Sequence, residues 1–448
     1  MSSNYNINNR GLTDTELRAT PVPVLGTFSD SAHNHSVVKS LVTTTPTITG
    51  VYTMDKDNNS LLFSRVQGTG GAQSYSQGVN TMSVTTTAGS YAISQSFQRH
   101  PYYAGIPMLI EMTFNNFQLE AGIIKEVGYF QGSQTPPHNT GYDGFYFESN
   151  GVSNKYNFCV ANANTSTITR IEQADWNLDT MDGNGASGIT LDFSKFTAVA
   201  FEFIYLGGAA ARMGFILDSG LYWVHNFTHA NINVGTIIRS PQNPIRWSIR
   251  NVSGGSTGSM GQICASVQAL GTVSNVAQFR GAFDIAGLSA SRTSFINANS
   301  AGITYMLRAI RINPTAVNTC VLAVEPVAMS STNDDLWISL LLNPTITGLV
   351  AGAATWESLT NSYIQYAYGD TVTTAGSGST TQVTSQGANM FTIPLAAVAR
   401  EPQKTILDVN RRPGISVDGV SRPIAVCVTP TNNGTNADVF GSLNFLEL

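Results

Sequence analysis

Apolar and polar side chains alternate with a period of two through most of this chain. Leu221, Trp223, His225 and Phe227 fall on one face of an extended segment, and Tyr222, Val224 and Asn226 fall on the other. Met213, Phe215 and Leu217 alternate in the same way just before it. Asp218-Ser219-Gly220 between the two is a short turn, so the pair reads as a β-hairpin. Ile245, Trp247 and Ile249 alternate with Arg246, Ser248 and Arg250, which predicts a strand with its apolar side in and its polar side out. Val199, Phe201, Phe203 and Tyr205 share a face whose reverse is also apolar apart from Glu202, as in a central strand covered on both sides. Further strands are predicted over 144–148, 156–160, 303–312, 320–324, 336–342 and 424–429, with Gly, Asn and Pro clusters between them. That rhythm belongs to sandwiches and barrels.

Helix signals are few. Residues 13–18 suit one or two turns, with Thr13 as cap and Glu16 at the capping-box position. The longer candidate is 355–367, TWESLTNSYIQYA. The pattern therefore predicts an all-β protein in three parts. Residues 1–45, polar and carrying Pro21 and Pro23, form an extended N-terminal docking arm. Residues 46–275 form a jelly-roll or concanavalin-like β-sandwich, with Gly254–Gly261 as a flexible loop near its end. Residues 276–448 form a second β domain after a polar crossing at 271–278. No internal repeat is evident.

Composition sharpens this picture. Only 11% of the 448 residues are charged, against 42% hydrophobic, and the net charge is −5. Lysine occurs only at Lys39, Lys56, Lys125, Lys155, Lys195 and Lys404, none close to another, so the basic surface that a nucleic-acid binder needs is missing. No apolar run approaches the roughly 18 residues of a spanning helix, and 371–399, a long uncharged stretch, is rich in Thr, Ser, Gly and Gln. Neither nucleic acid nor membrane is expected as a partner. So little charge in a large chain fits a subunit covered by its neighbours. No secretory signal is visible in the first residues. Cys159, Cys264, Cys320 and Cys427 sit in apolar runs and read as buried thiols.

The chemical candidates each have a plainer reading. Gly254-Gly255-Ser256-Thr257-Gly258 matches the G-x-S-x-G nucleophile pattern, yet all six histidines precede Ser256, which forbids that triad order. There is no Gly-Lys dipeptide, no C-x-x-C and no H-E-x-x-H. Asp55-Lys56-Asp57-Asn58-Asn59 begins like a calcium loop but has Val66 where a bidentate Glu belongs. Asp179, Asp182 and Asn184 could hold calcium, although Asp-Gly and Asn-Gly are ordinary turn formers. His225 and His229 share a strand face, with a hydrogen-bonded core histidine the simpler reading. His33 and His35 share a face of the arm and resemble the six-nitrogen metal sites of phage fibres; a polar arm is simpler. The adjacent Asp334-Asp335 read as a turn, and Asn164, Asn226, Asn251 and Asn433 as chance N-x-S/T triplets. A glycosidase needs two carboxylates flanking the bond, and the E-x-D-x-x-E strand motif of concanavalin-like glucanases is absent. The expectation is no catalytic residue, no cofactor and no metal, hence not an enzyme.

The run FEFIYLGGAAARMGFILDSGLYWVHNFTHANI, followed by SPQNPIRWSIRNV and QICASVQALG, spans 197–271 with DWNLDTMDGNGASGITLDFSK upstream. It resembles virion structural proteins of tailed double-stranded DNA phages and large algal viruses. The hairpin within it also resembles concanavalin-like or laminin-G-like sandwiches. The resemblance implies a non-enzymatic subunit of a virus particle: a capsid decoration, fibre or tail component made in the host cytoplasm. It would assemble as a homo-oligomer, a trimer by preference, and with other virion proteins. The arm, anchored by Leu12, Leu17, Val22, Val24, Leu25 and Phe28, would dock on a neighbour. The alternative is a carbohydrate-binding module for a host-surface glycan, with Trp176 and Trp356 as its aromatic candidates.

Overall fold

The computed structural model describes residues 47–52, 61–206, 208, 211–271, 281–284, 296–316, 319–330, 335–348, 356–369, 379–395, 400–402, 412–431 and 437–447. The arm with its helix candidate, the Asp55–Asn59 loop and the 271–278 crossing beyond Gly271 lie outside them, as do Asp334 and Asn433. Among the described residues the structure is all β, and the one helical piece is a 3-10 turn, Gln173–Asp175.

Two antiparallel sheets form a jelly-roll, concanavalin-like sandwich. Its strands are β1 (Thr47–Tyr52), β2 (Phe63–Gln67), β3 (Gly71–Ser76), β4 (Val79–Val84), β5 (Tyr91–Ser96), β6 (Met108–Asn115), β7 (Ile123–Gln131), β8 (Asp143–Asn150), β9 (Lys155–Asn162), β10 (Thr167–Glu172), β11 (Thr197–Phe203), β12 (Ala211–Leu217), β13 (Gly220–Phe227), β14 (Ile245–Asn251) and β15 (Gly258–Ala269). The eight-stranded sheet runs β13-β12-β11-β6-β15-β4-β3, with β1 also paired to β15, and the seven-stranded sheet runs β10-β9-β8-β7-β14-β5-β2. The predicted hairpin is β12–β13, with Leu217 opposite Gly220 and its tip at Asp218-Ser219. A bulge at Met213/Gly214 splits the face expected for Leu221, Trp223, His225 and Phe227, leaving Leu221 and Trp223 outward and turning His225 and Phe227 to the core. β11 is central, between β6 and β12. The loop expected at Gly254–Gly261 ends at Thr257, because Gly258–Gln262 pair with β4.

The apolar halves of the alternation meet between the sheets. Met112, Phe114, Phe201 and Phe215 from one sheet face Val127, Phe147, Phe158 and Trp247 from the other, all essentially out of water. Each such side chain contributes about 1.5–3 kcal/mol by burial. Several polar groups inside are paired. Asn80 donates to Gln262 and Gln73, and Gln73 donates to the carbonyls of Val66 and Ile93, tying one sheet to the other. Lys125 points into the sandwich, where Glu120 sits 3.1 Å away and the carbonyls of Asn116 and Gln118 accept its protons.

The remaining strands are β16 (Gly281–Asp284), β17 (Ile296–Ala298), β18 (Tyr305–Ile312), β19 (Val321–Ser330), β20 (Leu336–Leu342), β21 (Thr345–Thr347), β22 (Glu357–Ser358), β23 (Ile364–Tyr368), β24 (Gln382–Ser385), β25 (Ala388–Leu395), β26 (Arg400–Pro402), β27 (Gly414–Ile415), β28 (Ser421–Arg422), β29 (Ile424–Pro430) and β30 (Ala437–Glu447). They make a sheet around β18-β29-β20, a second around β30-β19, and the small β27–β28 hairpin. The helix predicted over 355–367 is instead the β22–β23 hairpin, with Glu357 opposite Tyr366. Asn361 turns it at φ 63°, and β18 supplies the hydrogen-bonding edge that a lone three-turn helix would lack.

The β27–β28 hairpin lies against the sandwich. Ile415 N–H donates to Phe97 O, Val417 N–H to Ser64 Oγ, and Arg422 to Leu61 O. Gly414 sits so close that a Cβ would lie 2.3 Å from Phe97 O, which requires glycine there.

Candidate functional site

The two outer faces of the sandwich carry its unabsorbed chemistry. On the seven-stranded sheet, one cross-strand rung reads Ser248, Glu126, Glu148, Asn157. Two carboxylates stand directly opposite one another, an arrangement that repels unless it is compensated. The flanking rungs supply arginines. Arg250 donates to Glu126 Oε1 at 2.6 Å, while Ser248 and Tyr142 hydroxyls donate to Oε2. Arg170 grips Glu148 in a fork of 2.9 and 3.3 Å, and Asn157 donates at 2.9 Å. Both carboxylates are fully buried. Burial pushes the Glu126 carboxyl up, but Arg250, Ser248 and Arg246 reverse this and hold it below the usual range.

This corrects the expectation for β14. Arg246 and Ser248 do not face water; they are 1% and 4% exposed. The segment after β7 folds over them. Tyr142 returns across the face against Phe130 and Tyr146, and the carbonyl of His138 accepts from Arg246 at 2.9 Å. Gly128 lets Tyr146 lie down on the sheet, since a Cβ there would fall 2.5 Å from Tyr146 Cα. The alternation was legible, but the cover comes from residues over a hundred positions away in sequence.

The outer face of the eight-stranded sheet is more open. Glu202 and Arg212 are opposite each other and joined by an Nε–Oε2 bond of 2.8 Å. The Arg212 guanidinium lies 3.9 Å over the Trp223 ring. Trp223, half-buried, rests beside Leu109, Ala200 and Leu270. One strand further, Gln268 donates to Glu111 at 3.1 Å and to Ser266 at 3.0 Å. Burial pushes the Glu111 carboxyl up. An aromatic, a guanidinium, a carboxyl and an amide thus share one accessible face.

The candidates from the sequence are scattered. Trp176 is 4% exposed and packs against Phe215 and Phe147, so it offers no platform. Trp356 is half-buried in the second region with Arg311 4.5 Å from its ring. His225 accepts from Asn177 N–H and leans on Phe158, while His229 pairs with Gly235 O beyond the strand end. Asp179 accepts from Met181 and Ser187 N–H, and Asp182 from Thr180 Oγ1 and Asn184 N–H, so these carboxylates brace a turn. Ser256 lies in the β14–β15 connection, its carbonyl accepting from Asn251. No disulfide joins any of the four cysteines. Among the described residues, no three His, Cys, Asp or Glu side chains cluster as metal ligands.

No protein-family model matches this chain, and no curated protein matches it in sequence. Solved structures similar to it include a Bacillus licheniformis beta-glucanase, at 14% identity over 49% of this chain and 96% of that one, with a TM-score of 0.31. A carbohydrate esterase of the Shiga toxin-encoding bacteriophage phi24B aligns at 14% identity over 50% and 99%, with a TM-score of 0.30. A legume lectin-like domain from Entamoeba histolytica aligns at 8% over 50% and 99%, with a TM-score of 0.32. At these values the likeness assigns no residue and no activity to this chain.

Proposed function

We propose that the chain is a non-enzymatic structural subunit of a virus particle, a capsid decoration, fibre or tail component that assembles through its β surfaces and its N-terminal arm. The observation carrying this reading is where the few charges and the bare aliphatics go. Glu126, Glu148 and Glu202 are buried against arginines. Meanwhile Leu206, Ile232 and Val234 stand exposed on the two loops that follow β11 and β13 at one end of the sandwich. A lone protein gains solubility from exposed charge and loses it from grouped aliphatics. A subunit whose tips are covered by neighbours has neither need. The buried, ion-paired Glu126 and Glu148 also suit rigidity better than catalysis, since a general acid must hold its proton and touch its substrate. The test is particle composition. Virus particles purified from the source should contain the chain in fixed stoichiometry. Deleting residues 1–40 should leave the melting temperature nearly unchanged but abolish incorporation. A chain absent from purified particles overturns the reading. Light scattering should give a homo-oligomer, with a trimer favoured.

The open face favours a second reading, a glycan-binding surface. Trp223 with Arg212 over its ring, on the same cross-strand rung as Glu111 and Ser266, combines an aromatic with hydroxyl-pairing groups. Binding on a glycan array that disappears in Trp223→Ala supports it, and an unchanged array removes Trp223 from the site.

A further inference from the structure

The sandwich and the β27–β28 hairpin meet over a small polar cavity. Gln95, Arg99, Gln131 and Gln134 line it from the sandwich and Ser416 from the hairpin, and the centre of a water-sized guest has about 20 Å³ there. That is room for one small guest. Arg99 is 8% exposed; it donates to Gln131 Oε1 at 3.0 Å and to Ala316 O. Those bonds lock the Gln131 amide with its oxygen occupied. Its Nε2 has no protein acceptor, in a residue 7% exposed. A second buried guanidinium, that of Arg246, stands next to the lining residue Gly132 without itself lining the cavity. Arg246 Nη1 lies 2.8 Å from where a Cβ of the lining residue Gly132 would stand, and neither Nη1 nor Nε has a protein acceptor.

The surrounding carboxylates have other partners, Asp418 on the hairpin lying half in water with His138 Nε2 3.3 Å away. Glu126 is bound by Arg250, and Asp143 accepts the N–H groups of Ala163, Arg239 and Ser240. Burial above all, and after it the nearby Arg239, pull the Arg99 guanidinium down to about 10 against the opposing pull of Asp143, so its charge is poorly solvated where it sits.

We propose that this cavity binds a small monovalent anion of the halide class, which bridges the sandwich to the second region. A halide accepts hydrogen bonds from several donors at once and offsets the charge of Arg99. A water accepts about two hydrogen bonds and offsets no charge. The bound ion would make attachment of the hairpin dependent on anion identity.

The experiment compares the full chain in sodium chloride, sodium bromide and sodium gluconate at constant ionic strength. Halide should raise the melting temperature by roughly 1–3 °C in a saturable way. Bromide crystals should show an anomalous peak in the cavity, and Gln131→Leu should abolish both the rise and the peak. Arg99→Met should do the same, and if that variant does not fold, Gln131→Leu and the bromide peak decide. Equal melting in chloride and gluconate without a bromide peak means the cavity holds water and overturns the proposal. A halide effect that persists in Gln131→Leu places the ion elsewhere and also overturns it.

Discussion

On the seven-stranded sheet the outward Glu126 and Glu148 are sealed under Tyr142, Tyr146 and the 132–142 segment, each neutralised by an arginine. On the eight-stranded sheet the outward Glu111 and Trp223 remain partly in water. Both faces are the polar half of a period-two pattern, and both combine Glu, Arg and an aromatic. What separates them is cover. Once a polar face is covered, every carboxylate on it needs a cation and every lone pair a donor, and the surface becomes a second core. Left open, the same chemistry can meet a ligand.

Removing one half of a sealed pair should give the largest effect. Arg250→Met strands Glu126 in a dry site and should cost about 3–5 kcal/mol in urea unfolding. The double variant Glu126→Leu with Arg250→Met should recover much of that loss. If Arg250→Met unfolds like the native chain, the sealed face is wetter than its geometry shows. Acid should come next. His100 is fully buried, and its pKa is held at about 3 by burial and Arg412, against an ordinary 6.5. Its folded-state pKa is depressed, so its contribution is full above pH 6.5 and is lost as pH falls toward 3. A melting temperature flat across that window would contradict it.

The two faces should respond to acid with opposite signs. Glu126 is depressed in the fold, so its stabilisation exists above the ordinary carboxylate range and fades as pH falls through its folded value. Glu111 is raised, so it favours folding in its protonated form and adds stability as pH falls below its folded value. Glu111→Gln should remove that gain and leave the acid loss intact, as read from melting curves against pH. At neutral pH the same substitution should change stability by about 0.5 kcal/mol or less. A larger neutral-pH loss would mean that the open face is covered too.

Much of the architecture was legible. The β12–β13 hairpin, the central β11 and the strands over 336–342 and 424–429 follow from alternation and turn chemistry, which act over a few residues. The 355–367 segment misled because its apolar spacing also suits a helix, and an edge offered by β18 decided against it. The polar clusters were far less legible. Ser248, Glu126, Glu148 and Asn157 come from four strands, and only their register places them in one row.

The sequence by itself determined that this is a β protein and where most of its strands run, because those properties are set by periodicity along the chain. Only the tertiary structure decided that Arg246 and Ser248 are buried, that Trp176 is core while Trp223 is accessible, and that Arg99 and Gln131 meet a hairpin from residues 414–422. These depend on what crosses over each sheet, and burial of a polar face is a property of distant segments brought together. Period-two alternation specifies two sides of a strand; it carries no information about whether the second side meets water or protein.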